Sequence, residues 1–173
     1  MKIFIAGYMG SGKSVIGKQL AEALNINYVD LDNQIEIIEG EDVNGIFEEK
    51  GELYFRKLES RILQDILNDP SDMVVSLGGG TPCYGNNFDA IKDSEDTTTI
   101  YLKASVETLT ARLAYEKVHR PVISHLETKE QLEEFIRKHL FERAFYYNQS
   151  DYIIDVNNLD PEEIVGRILK KLD

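Results

Sequence analysis

The chain has 173 residues, with 19 Lys and Arg set against 31 Asp and Glu, for a formal net charge of −12. That length suits one ordinary domain over residues 1–173, and a 42% apolar content with seven Phe and nine Tyr can build a core, which excludes a disordered tail or an acidic solvating module. The charge disfavours nucleic acid as a partner, and as an average it disfavours small anionic ligands too.

The N-terminal segment Met1-Lys2-Ile3-Phe4-Ile5-Ala6 leads into glycines instead of a signal-cleavage site. No run approaches the roughly 18 apolar residues of a membrane span. A cytoplasmic monomer with no membrane partner is expected. Cys83 is the one cysteine and reads as a buried thiol, and the three histidines have no partners at the spacing of a zinc or iron site.

Five short runs rich in Val, Ile and Tyr predict strands at Ile3–Ala6, Tyr28–Leu31, Met73–Leu77, Thr99–Leu102 and Tyr152–Val156. Helical patterns separate them. Leu58, Ile62, Leu63, Ile66 and Leu67 make an amphipathic face between the second and third strands. Thr128-Lys129-Glu130-Gln131 is a capping box opening a helix that carries Leu132, Phe135, Ile136, Leu140 and Phe141. Asp160-Pro161-Glu162-Glu163 is another, with Pro at the first helical position. Alternation of this kind predicts an α/β domain with a mostly parallel sheet, and ligands outside the C-terminal ends of its strands.

The first strand runs into Gly7-Tyr8-Met9-Gly10-Ser11-Gly12-Lys13-Ser14, which fits G-x-x-x-x-G-K-[ST] and is followed by the helical pattern Val15, Ile16, Leu20, Leu24. Backbone N–H groups of Gly10 to Val15 can turn around phosphate oxygens, Lys13 supplies a point charge, and Ser14 can ligate Mg²⁺. The alternative, a glycine-rich turn without a ligand, does not explain the strand before it and the helix after it. ATP or a related triphosphate is therefore the expected co-substrate. Charge is distributed accordingly: residues 1–25 hold Lys2, Lys13 and Lys18 against Glu22, and residues 30–72 hold thirteen acids against four bases.

Asp30 and Asp32 flank Leu31 at the end of the second strand, and are expected to point to opposite sides, one toward a metal and the other toward a substrate hydroxyl. The third strand ends in Ser76 and Leu77 without an acid, which leaves the metal side to Asp30. Gly78-Gly79-Gly80 follows, as a close approach of ligand to backbone would need. Asp42-Val43-Asn44-Gly45 fits D-x-x-G but follows no strand and reads as a turn; no N-K-x-D motif accompanies it, so a GTPase switch is disfavoured. Arginines are usually solvated, yet Arg56 and Arg143 sit among aromatic residues, and Arg120 precedes Pro121.

Together these pieces resemble the shikimate kinase family: G-x-x-G-x-G-K-S at 7–14, D-x-D at 30–32, F-R-x-x-E at 55–59, G-G-G at 78–80, R-P at 120–121, and E-R-x-x-x-Y ending at Tyr147. The resemblance implies a three-layer, nucleoside-monophosphate-kinase-like fold with a five-stranded parallel sheet of order 2-3-1-4-5 and helices on both faces. It implies ATP- and Mg²⁺-dependent phosphorylation of the 3-hydroxyl of shikimate, a step toward chorismate and the aromatic amino acids. By position, Lys13, Asp32 and Arg120 would be catalytic. Asp32, Arg56, Arg143 and Gly78 to Gly80 would bind shikimate, within a binding segment over 32–61. Ser14 and Asp30 would hold Mg²⁺. Gly10, Ser11, Gly12, Lys13, Ser14 and Val15 would hold the phosphates, with Arg112 and Asn157 about the adenine and Arg120 carried on a lid over 114–125. Two departures from the family pattern are Phe145, where Pro is common, and Val122-Ile123, where leucines are usual. A gluconate-kinase-like enzyme of the same fold, or a nucleotide-binding module without turnover, are the alternatives; F-R-x-x-E with G-G-G argues against the first, and scattering of Asp32, Arg56 and Arg143 would favour the second.

Overall fold

The computed structural model describes residues 1–117 and 120–173. Val118 and His119, inside the 114–125 segment, lie outside the described residues.

Five strands, β1 (Lys2–Ala6), β2 (Asn27–Asp30), β3 (Met73–Ser76), β4 (Thr97–Lys103) and β5 (Tyr152–Asp155), form one sheet in the order β2-β3-β1-β4-β5. Every pairing is parallel. The order and the parallel sense agree with the expectation, and helices cover both faces. The helices are α1 (Lys13–Leu24), α2 (Leu31–Glu39), α3 (Val43–Lys50), α4 (Glu52–Asn68), α5 (Asn87–Asp93), α6 (Val106–Glu116), α7 (Pro121–Ser124), α8 (Lys129–Tyr147) and α9 (Pro161–Leu172), with a 3₁₀ turn at Thr81–Cys83. None of the described helices is long and apolar enough to cross a membrane.

β1 lies at the centre of the sheet, so Ile3, Phe4 and Ile5 are fully buried, and Val74, Val75, Ile100 and Leu102 lie beside them. Continuous apolar runs of this kind are what a parallel sheet covered on both faces demands. α1 packs its Ile16, Gly17, Leu20 and Ala21 inward; a fully buried Leu such as Leu20 stabilises by roughly 1.5–3 kcal/mol. Gly17 permits the approach, because a Cβ there would stand 2.6 Å from the Tyr28 ring and 2.7 Å from Ser76 Oγ. Both capping boxes form as the sequence indicates.

Two local readings are corrected. β2 ends at Asp30, whose side chain caps α2 by accepting from Asn33 N at 3.2 Å. An extended strand would have put Asp30 and Asp32 on one face; they diverge because the chain enters a helix between them. Asp42 is not a turn residue but the N-cap of α3, accepting from Gly45 N at 2.7 Å. Phe141, although on the patterned helix α8, is 82% exposed.

Candidate active site

The phosphate loop leaves the C-terminal end of the central strand and wraps into α1. Gly10 (φ 78) and Gly12 (φ 97) take left-handed conformations, which turn the backbone amides toward one side. α1 starts without a side-chain cap, whereas α2, α3, α6, α8 and α9 each have one. Its first N–H groups are thus left for an external acceptor, and the positive end of the helix dipole favours an anion there. Ser11 Oγ, buried in this loop, has no hydrogen-bond partner among the described residues.

Lys13 Nζ donates to the carbonyls of Gly7 (2.9 Å) and Tyr8 (3.0 Å). Burial lowers its pKa to about 8, against the pull of Asp32. Ser14 Oγ donates to Asp30 Oδ2 at 2.9 Å, so one Asp30 oxygen caps α2 while the other meets the loop. Ser76 Oγ donates to the Lys13 carbonyl at 2.9 Å and receives the Tyr28 hydroxyl at 3.0 Å, which ties the start of α1 to β3 and β2.

A cleft of 530 Å³ opens over this loop, lined by Gly10 to Val15, Asp30, Asp32, Gly79, Arg112 and Arg120, with Leu159, Pro161 and Ile164 as an apolar wall. Arg112 donates to the Gly10 carbonyl at 3.1 Å. Arg120 is paired with Glu116 through two nitrogens. Asn157 does not line the cleft; its Oδ1 accepts from Ser105 N and its amide groups turn to Asp155.

The glycine run explains how the other groups meet. A Cβ on Gly78 would lie 2.7 Å from Asp32 Oδ1, one on Gly79 2.9 Å from Arg143 Nη1, and one on Gly80 2.6 Å from Arg56 Nη2. Each glycine therefore seats one of the three side chains, drawn from α2, α8 and α4. They converge on a single turn beside the phosphate loop. Burial, with the carboxylates of Asp30 and Glu59 nearby, raises the Asp32 pKa to about 6 although Lys13 pulls it down.

Several contributors have contacts that the motifs alone do not reveal. Glu59, 1% exposed, accepts from Arg56 Nη1 at 2.9 Å and from Thr81 Oγ1 at 2.8 Å. Its sequence signal is the closing acid of F-R-x-x-E at 55–59, beside the apolar Leu58, Ile62 and Leu63. Tyr147 donates to the Gly79 carbonyl at 2.6 Å. Tyr8, in the loop itself, shares a 3.0 Å hydrogen bond with His139 Nδ1, one helical turn before Arg143. Burial and the Arg143 charge lower the His139 pKa to about 4, so the ring is neutral, and burial raises that of Tyr8; the hydrogen bond joins two uncharged groups. No local pattern signals a contact across 131 residues. Cys83 is half-buried rather than buried. Of the departures, Phe145 is 71% exposed, while Ile123 is fully buried beside the exposed Val122.

A phosphate loop on a 2-3-1-4-5 parallel sheet, beside a glycine turn against which two arginines and a carboxylate are packed, defines a small-molecule kinase of the nucleoside-monophosphate-kinase-like class. A family model described as shikimate kinase matches residues 9–173. A shikimate kinase of Flavobacterium johnsoniae is 43% identical over 168 residues, covering 97% of this chain and 96% of the relative. A crystal structure of shikimate kinase from Bacteroides thetaiotaomicron aligns with TM-score 0.90 and 33% identity, over 99% of this chain and 98% of that one. The shikimate kinase from Acinetobacter baumannii in complex with shikimate aligns with TM-score 0.83 and 26% identity, over 99% and 92%. This chain belongs to the shikimate kinase family, and its activity is the ATP-dependent phosphorylation of shikimate.

Proposed function

We propose that the cleft transfers the γ-phosphoryl group of ATP to the 3-hydroxyl of shikimate, with the donor over the phosphate loop and the acceptor at the Gly78–Gly80 turn. The observation that carries this reading is the seating of Asp32, Arg56 and Arg143 on three successive glycines beside Lys13. In the reaction, the acceptor oxygen bonds to the γ-phosphorus as its bond to the β–γ bridging oxygen breaks. ADP leaves, and the hydroxyl proton passes to Asp32 or to water.

Each role follows from chemistry. Lys13 exchanges the Gly7 and Tyr8 carbonyls for phosphate oxygens. The backbone from Gly10 to Val15 supplies N–H donors. Arg120 adds charge near the γ-phosphate, where a loose transition state spreads negative charge over the equatorial oxygens. Arg112 and the wall of Leu159, Pro161 and Ile164 offer two sides for the adenine. Arg56 and Arg143 present guanidinium forks for the acceptor's carboxylate. Asp32 orients the ring hydroxyls before it acts as a base.

Mg²⁺ fits the donor set. Ser14 Oγ and Asp30 Oδ2 stand 2.9 Å apart at the loop, two hard oxygen donors of the kind that suit a cation held by few protein oxygens plus water and phosphate. Bound there it would neutralise phosphate charge, with Ser14 as ligand and Asp30 behind it.

A coupled ADP-release assay comparing shikimate, quinate, gluconate and nucleoside monophosphates tests the reading. Turnover should require shikimate. Equal rates with gluconate or a nucleoside monophosphate would overturn it, and no turnover with any acceptor would favour a binding module.

A further inference from the structure

Arg56 is held on more sides than an ion pair requires. Its Nη1 is bonded to Glu59, which Thr81 fixes in turn. Gly80 lies against Nη2 with no room for a Cβ. The Tyr84 ring lies over the guanidinium with its centroid 3.8 Å from Cζ, while Phe55 and Phe47 stand farther off at 5.2 and 5.9 Å. Nε is buried with no hydrogen-bond partner, the Glu52 carboxylate being 3.8 Å away.

Tyr84 is itself placed by local structure. It follows the 3₁₀ turn that continues from the glycine run, and Gly85 beyond it takes φ 55. Asn87, 2% exposed, closes the loop by donating from Nδ2 to the Thr81 carbonyl at 3.1 Å. Yet Tyr84 is 38% exposed, so core packing is not what its ring chiefly serves.

We propose that Tyr84 is a positioning residue for acceptor recognition: its ring stacks on Arg56, fixes the plane of the fork and keeps water off it, so that the acceptor's carboxylate meets a pre-oriented pair of donors. The inference rests on the assignment of Arg56 to that carboxylate. A free arginine side chain loses rotamer freedom on binding, and stacking on an aromatic face removes that cost before the substrate arrives. A cation–π contact of this kind corresponds to about a 3- to 30-fold effect on binding.

The test compares Tyr84→Leu, Tyr84→Phe and Arg56→Lys with two acceptors, shikimate and its carboxamide, alongside thermal melting of each variant. Leu keeps apolar bulk but has no π face; Phe keeps the face without the hydroxyl. Tyr84→Leu should raise the KM for shikimate about tenfold, leave kcat and the KM for ATP within about twofold, and shrink the preference for acid over carboxamide by a similar factor. Tyr84→Phe should stay close to the parent. If Tyr84→Leu weakens both acceptors equally, or if Phe fails as badly as Leu, the ring is packing or hydrogen-bonding and the inference falls. If Arg56→Lys keeps the full preference for the acid, the assignment of Arg56 fails instead; if Arg56→Lys loses the preference and Tyr84→Leu keeps it, only the role of Tyr84 is overturned.

Discussion

The proposed donor and acceptor sites would each hold an anion inside a chain of net charge −12, and they are built by different means. The donor half is a stretch of backbone from Gly7 to Val15 with one lysine, an uncapped helix start and two left-handed glycines. The acceptor half is made of side chains from α2, α4 and α8, gathered where Gly78, Gly79 and Gly80 leave room for them. A backbone site needs only its own residues and the strand and helix on either side. A side-chain site needs the whole sheet to bring distant elements together, and then needs braces such as Glu59, Thr81 and Tyr147.

That contrast can be broken or sharpened by substitution. The largest effect belongs to the donor side: Lys13→Ala should reduce kcat about a thousandfold, since removing one preorganised donor to transition-state charge costs about 10²–10³ or more. Circular dichroism should show the fold intact. Near-parent turnover would remove the loop from the chemistry.

On the acceptor side, Arg143→Ala should raise the KM for shikimate about 10- to 100-fold, the range of a lost charge-assisted hydrogen bond, and change that for ATP little. Steady-state kinetics with each substrate varied in turn would check it. Equal shifts in both would mean that the two halves are not separable.

The Tyr8–His139 hydrogen bond joins the halves, and its signature is in pH-dependent stability. The His139 pKa is lowered in the folded chain to about 4 from 6.5. The unfolded chain therefore binds the extra proton first, and stability falls as pH drops from 6.5 toward 4. The groups facing the ring are Tyr8, Phe135 and Arg143, with Glu142 opposing the shift. His139→Gln, which can still hydrogen-bond to Tyr8, should melt with a smaller loss between pH 7 and pH 4.5 than the parent. Parallel melting curves would contradict the placement. The smallest effect is a control: a Cβ on Gly166 in α9 meets nothing within 4 Å, so Gly166→Ala should stabilise by about 0.5–1 kcal/mol with both KM values unchanged.

Legibility followed the same division. The sheet order came from family likeness, but the strands and both capping boxes were readable because periodicity and caps are local signals. So was the phosphate loop. The pairing of Asp30 with Ser14 followed from a missing acid at the end of β3, an argument from absence that the 2.9 Å contact supports. What stayed hidden was tertiary: that each glycine of 78–80 faces a different side chain, that Tyr8 reaches His139, and that Tyr84 covers Arg56. The helix start after Asp30 was local and still misread, because Leu31 continues the apolar run of β2 while Asp30 acts as a cap.

The claim that the glycine turn is a seat for the acceptor groups is tested most directly at Gly80. A Cβ there would displace the Arg56 guanidinium from the position that Glu59 and Tyr84 give it. Kinetics of Gly80→Ala should show the KM for shikimate raised at least about tenfold, as a displaced charge-assisted contact requires, with the KM for ATP and the melting temperature close to the parent. An unchanged KM for shikimate, or equal losses for both substrates, would contradict it.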